Sequence, residues 1–165
     1  MKGNKFTAYL FEVAWILPSI TIPVAFMVAI TLTAFAVGIG VPGKGGTIDP
    51  KAVSQTAPFD SPGLKELAPG KYEAVIIAQI FQFTPISNTP DPIRVPVGSE
   101  VTFVVTSQDV IHGFKISDTP INVMVIPGQI SRVSTKFTRP GEYLVLCHEY
   151  CGGGHQAMFA KIIVE

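Results

Sequence analysis

A chain of 165 residues, 47% hydrophobic and only 15% charged, has room for one domain of ordinary size plus an appendage. Its 12 basic and 12 acidic residues cancel to a net charge of zero, so it carries no basic field and a nucleic-acid partner is excluded. The hydrophobic excess gathers at the N-terminus, which points to membrane lipid as a partner.

Residues 13–43 hold no charge and include Trp15, Ile16, Leu17, Val24, Phe26, Ile30 and Phe35. About 20 apolar residues suffice to cross a bilayer as a helix, so this run predicts one transmembrane helix over 15–39. Pro18 and Pro23 would break a soluble helix but are tolerated in a span, where neighbouring groups satisfy the freed carbonyls. A cleaved signal peptide is the rival, since Ala34-Phe35-Ala36 has the small-x-small form of a cleavage site. The hydrophobic region of such a peptide takes only ~7–15 residues, about half of this run. Lys2, Lys5 and the terminal amine, set against Glu12, place the N-terminus on the cytoplasmic side of the cell (inner) membrane. Everything after Lys44 is then on the outer, periplasmic side, and the anchor comprises residues 1–40.

Residues 41–70 are crowded with Pro42, Gly43, Gly45, Gly46, Pro50, Pro58, Pro62, Gly63, Pro69 and Gly70. They read as a stalk without a packed core of its own. From Tyr72 the pattern changes to short β-type runs at 72–81, 93–97, 100–107, 113–116, 122–125, 130–138, 141–146 and 158–164. Val101, Phe103 and Val105 share one face, and the turns Pro127-Gly128 and Pro140-Gly141 fall between runs. Without any helical period, residues 71–165 form an all-β domain, an antiparallel sandwich or small Greek-key barrel.

The chemistry concentrates in Cys147-His148-Glu149-Tyr150-Cys151-Gly152-Gly153-Gly154-His155-Gln156-Ala157-Met158. Thiol, imidazole and thioether are soft or borderline donors suited to copper, and His112 lies upstream. A single copper used for electron transfer takes two His, one Cys and a distant Met; His112, His155, Met158 and one cysteine meet that need and leave a thiol over. Two coppers need about eight ligand positions, and these close if Cys147 and Cys151 each count twice as bridges beside His112, His155, Met158 and one backbone carbonyl. Bridging thiolates let one unpaired electron spread over both metals, so the geometry changes little on reduction. In an exported domain a Cys147–Cys151 disulfide is the default alternative. The glycines 152–154 allow the loop to fold His155 and Met158 back toward the cysteines.

Cys147-x-Glu149-x-Cys151-Gly152-x-x-His155-x-x-Met158, together with Asp109-Val110-Ile111-His112-Gly113-Phe114, resembles the CuA signature of cytochrome c oxidase subunit II. The resemblance covers essentially the whole chain and implies a cupredoxin-like Greek-key barrel behind one N-terminal transmembrane helix. It implies bridging thiolates from Cys147 and Cys151, imidazoles from His112 and His155, a weak thioether from Met158 and a backbone carbonyl from Glu149. In many relatives the carboxylate at the Glu149 position also reaches toward a magnesium (Mg) site at the interface with the catalytic subunit. The implied partners are the haem-copper catalytic subunit I and cytochrome c as electron donor.

Two departures from the common pattern stand out. One helix instead of two resembles the B-type haem-copper oxidases, in which a separate one-helix subunit supplies the missing span. The family's tryptophan at the point where electrons enter is absent, Trp15 being the only one, and Phe81 and Phe83 are the nearest substitutes. Competing readings are the copper subunit of a nitric oxide reductase, a periplasmic copper chaperone and an anchored β-sandwich stapled by a disulfide. Of the remaining candidates, His148 reads as facing solvent or a partner, Met124 as a filler, and Asp109 as either a turn cap or a loop-orienting group.

Overall fold

The computed structural model describes residues 5–37, 41–86 and 92–165. Lys2, on which the expected orientation partly rests, and Ile39, the expected end of the span, lie outside the described residues. The chain divides into two compact units, Met1–Ile39 and Gly40–Glu165.

In the first unit, helix α1 runs over Lys5–Val37, 33 residues with Pro18 and Pro23 inside it. At about 1.5 Å per residue it spans roughly 50 Å, more than the ~30 Å hydrocarbon core of a bilayer. Its stretch Thr7–Ala36 is long and apolar enough to cross a membrane and is not buried inside the protein. Large apolar side chains at successive positions, from Leu10 and Phe11 through Ile16, Leu17 and Ile20, leave no polar face, the pattern of a helix solvated by lipid. The hydroxyls of Ser19, Thr21, Thr31 and Thr33 each donate to the carbonyl four residues earlier, at 2.6–2.8 Å, so none needs water.

Among the described residues, the second unit has ten strands. They are β1 (Gly63–Ala68), β2 (Lys71–Gln79), β3 (Gln82–Thr84), β4 (Ile93–Val95), β5 (Glu100–Ser107), β6 (His112–Ile116), β7 (Asn122–Val125), β8 (Ser131–Lys136), β9 (Gly141–Leu146) and β10 (Phe159–Val164). One sheet has the order β1-β2-β5-β8 with β3 beside β2; the other has the order β4-β10-β9-β6-β7. This is the cupredoxin-like all-β architecture expected from the sequence. It is not wholly antiparallel, however, because β2 pairs with β5 and β4 with β10 in parallel. The reason is the crossover: β4 carries the chain back along the second sheet, so β5 starts beside the beginning of β2, with Lys71 opposite Glu100.

Alternation along the strands makes the core. Ala74, Ile76 and Ala78 of β2, Val101, Phe103 and Val105 of β5, and Phe114 and Ile116 of β6 face the space between the sheets. Phe83, Phe103, Phe114 and Phe137 meet there edge-on or tilted, at ring separations of 5.5–6.4 Å. The opposite face of the first sheet is covered as well. Val75, Ile77 and Val104 form a second cluster with Val53 and Phe59, against which Ile48 and Ile130 pack. Residues 41–70, expected as a stalk, therefore lie on the domain: they contribute β1, a 3-10 turn at Pro50–Gln55 and the two buried side chains Val53 and Phe59.

A candidate metal centre at one end of the sandwich

The ends of β2, β5 and β9 and the starts of β6 and β10 lie at one end of the sandwich, as the register of their pairs requires. His112 opens β6 and shares the inward parity of Phe114 and Ile116, so its ring is fully buried. Cys147 follows β9 and shares the inward parity of Val145. Its N–H donates to the Met158 carbonyl at 3.2 Å, extending the β9–β10 ladder one step past Leu146 and Phe159. Met158 thus sits opposite Cys147, and both side chains are buried. Between them the loop passes Cys151, turns at Gly152 with φ 130°, and places His155 at the head of a single 3-10 turn, His155–Ala157.

Two glycines allow this approach. A Cβ on Gly113 would lie 2.6 Å from the His148 backbone nitrogen, so only glycine lets the loop after Cys147 press onto β6. A Cβ on Gly154 would lie 2.6 Å from the Phe81 ring, which covers the loop carrying His155.

All six residues singled out in the sequence converge. Cys147 Sγ is 3.8 Å from Cys151 Sγ, 3.8 Å from His112 Nδ1 and 3.3 Å from the Glu149 carbonyl. Cys151 Sγ is 3.5 Å from His155 Nδ1 and 3.7 Å from Met158 Sδ. Donor atoms of His112, Cys147 and Cys151 lie within 4.8 Å of one another. Both cysteines are free thiols. Each thiol therefore has its own histidine, and the two thiols face each other, with Met158 beside Cys151 and a carbonyl beside Cys147.

The site's electrostatics favour losing one proton readily and resist the second. Burial pushes the Cys147 thiol up, but the His112 ring, the Gly113 N–H, Cys151 and His155 outweigh it and bring it down to about 7. Burial and the charge on Cys147 push Cys151 up to about 11. A pair of cations between the sulfurs would remove that mutual repulsion, because metal-bound thiols are held deprotonated. At the other nitrogen of His112, Nε2 lies 2.8 Å from Asp109 Oδ1. Burial disfavours the ring's charge, yet Cys147 and Asp109 together raise its pKa. Burial likewise works against the Asp109 carboxylate, and His112 with the N–H groups of Ile80 and Val110 more than offsets it, lowering its pKa.

The remaining candidates separate cleanly. His148 lies at the surface with Nδ1 3.4 Å from Glu149 Oε1, turned to the neighbouring carboxylate. Met124 is exposed on β7. Phe83 belongs to the core, whereas Phe81 lies over Gly152 and Gly154. The roles of Gly113 and Phe81 as spacer and cover were not read from the sequence. A glycine directly after a strand-opening histidine was the one local signal for the first.

A family model described as the periplasmic domain of cytochrome c oxidase subunit II matches residues 75–165. A cytochrome c oxidase subunit 2 of Thermus thermophilus is 39% identical over 159 residues, covering 94% of this chain and 92% of the relative. The chain belongs to the cytochrome c oxidase subunit II family. A chain from a heme-copper terminal oxidase dimer solved by cryo-electron microscopy superposes with a TM-score of 0.71 at 36% identity, covering 93% of this chain and 99% of that one. The periplasmic domain of subunit II from Bradyrhizobium japonicum shares the fold at 21% identity, with a TM-score of 0.51 over 56% of this chain and 83% of that one. As a subunit II relative, the chain combines a helix fit to span a membrane with a β domain matched by a periplasmic family model. The free cysteines speak against the disulfide-stapled sandwich. The absence of an α-helix among the described residues of the second unit speaks against a thioredoxin-like chaperone.

Proposed function

We propose that this chain is the subunit through which electrons enter a terminal respiratory oxidase, holding a dinuclear copper (CuA) centre with Cys147 and Cys151 as bridges. The observation that carries the reading is the pairing of two facing free thiols with one imidazole each, 3.8 Å and 3.5 Å away. The residues present fit the metal pair: donors are soft, mostly buried and mutually close, and a thioether and a carbonyl complete the two sides. His112, Cys147, Glu149 (through its carbonyl), Cys151, His155 and Met158 would hold it. When bound, the copper pair supplies a one-electron acceptor whose charge is spread over both metals.

What the protein does around that pair follows from burial and rigidity. Strands β6, β9 and β10 hold His112, Cys147 and Met158 on a packed core, which limits rearrangement when charge changes. His155 is the one side-chain donor that is not buried, which gives the site an edge toward the surface. Ile80, Val110, Ile111 and Tyr150 are exposed nearby in sequence to the site loops and offer an uncharged surface suited to a cytochrome c donor. The accepted electron passes to haem in subunit I, where oxygen is reduced and protons are translocated. The partly exposed Glu149 carboxylate is available to a magnesium ion shared with that subunit, and a separate one-helix subunit completes the membrane part. The N-terminus is cytoplasmic and the β domain periplasmic.

Purification of the full chain from its membrane tests this reading. A haem-copper catalytic subunit should accompany it, and reduced cytochrome c should reduce that haem rapidly in the native complex but not in the Cys151→Ser variant. Companion subunits that reduce nitric oxide and not oxygen would instead favour the nitric oxide reductase reading.

A further inference from the structure

The Asp109 carboxylate gathers donors from separate parts of the chain. Oδ1 accepts from the Val110 N–H at 2.6 Å and faces His112 Nε2 at 2.8 Å, while Oδ2 accepts from the Ile80 N–H at 2.6 Å. The Ser107 hydroxyl lies 3.4 Å from Oδ1. A carboxylate only accepts, so the hydrogen of the neutral His112 ring resides on Nε2 and the Nδ1 lone pair is left facing Cys147. Ile80 is 29 residues away in sequence, and its neighbour Phe81 lays its ring against Gly152 and Gly154, in the loop that delivers His155. One carboxylate thus touches the first histidine directly and the cover of the second histidine's loop through a backbone amide.

We propose that Asp109 is a positioning residue that keeps the two histidine sides of the metal site in register: directly at His112 and, through the Ile80 amide and the Phe81 ring, at the loop 152–155. It rests on the copper reading above. An asparagine cannot replace it fully, because its amide nitrogen donates and leaves one of the two N–H partners, or the ring, without an acceptor.

Amide hydrogen exchange on the metal-free full chain in detergent tests the link without copper. In Asp109→Ala, exchange at Ile80 and at His155, whose N–H donates to the Gly152 carbonyl at 3.0 Å, should quicken roughly tenfold or more, the size expected for loss of a charge-assisted hydrogen bond. Exchange at Phe103 in the core should stay unchanged. In the copper-loaded chain, Asp109→Ala should shift the paramagnetic imidazole resonances of both His112 and His155, whereas Phe81→Leu should shift those of His155 alone. Asp109→Asn should fall between wild type and Asp109→Ala. The proposal is overturned if Asp109→Ala leaves His155 unmoved in both measurements, if Phe103 loosens as much as Ile80, or if Asp109→Asn matches wild type. Failure of the copper reading is seen separately, as fewer than two coppers in the wild-type chain, and leaves the metal-free exchange result intact.

Discussion

At Gly113 the space for a side chain is already taken by the backbone and ring of His148. Gly113→Ala must push the 147–149 loop off β6, because a backbone atom cannot rotate aside as a side-chain tip can. It should lower copper content well below that of wild type, as measured by metal analysis of the purified chain. Met158 Sδ sits 3.7 Å from Cys151 Sγ as a weak thioether donor, so Met158→Leu should retain copper and shift the reduction potential; complete loss of metal would show the thioether to be essential. The thiols set a pH dependence with a definite sign. Between about 7 and about 11 the metal-free site holds the Cys151 proton but not that of Cys147, and loading must expel it. Apparent copper affinity, measured by chelator competition, should therefore rise about tenfold per pH unit in that window. The dependence should steepen below about 7, where Cys147 also carries its proton. Donor chemistry and ligand counting pointed in the sequence to His112, Cys147, Cys151, His155 and Met158, and the family resemblance pointed to the Glu149 carbonyl. Asp109 was read as a turn cap or loop-orienting group, but its bond to Ile80 was not legible, because it spans 29 residues and no local spacing encodes it.

Among the elements, most strands were legible from period-two alternation, as in β5, where Val101, Phe103 and Val105 face the core. The segment 41–70 was misread because glycine and proline dominate it locally. The corrective signal lay elsewhere: β2 is buried continuously from Ala74 to Ala78, so both of its faces must be covered. Strand β1 was missed because Lys65 and Glu66 give it no apolar face; it is an exposed edge held by pairing to β2. Phe59, fully buried against Val75, Ile77 and Val104, provides the test. Phe59→Ala should destabilise the β unit by about 3–5 kcal/mol in denaturant unfolding. A stalk would show almost no change.

For the molecule as a whole, the division into a long apolar helix and a β unit was plain from composition, since charge is absent from one stretch and alternation begins after it. The crossover that makes two strand pairs parallel was not, because parallel and antiparallel neighbours have the same alternation. With its core self-contained, the unit lacking residues 1–40 should be soluble and bind copper as the full chain does, checked by its absorption spectrum.

The proposed entry of electrons through this chain rests on the sulfurs of Cys147 and Cys151 jointly holding two metal ions. Copper analysis combined with electron paramagnetic resonance of the loaded chain reads that arrangement without intermediaries. Two coppers per chain are expected, with one unpaired electron whose hyperfine coupling is to two equivalent copper nuclei; one copper per chain with coupling to a single nucleus would contradict the bridged pair.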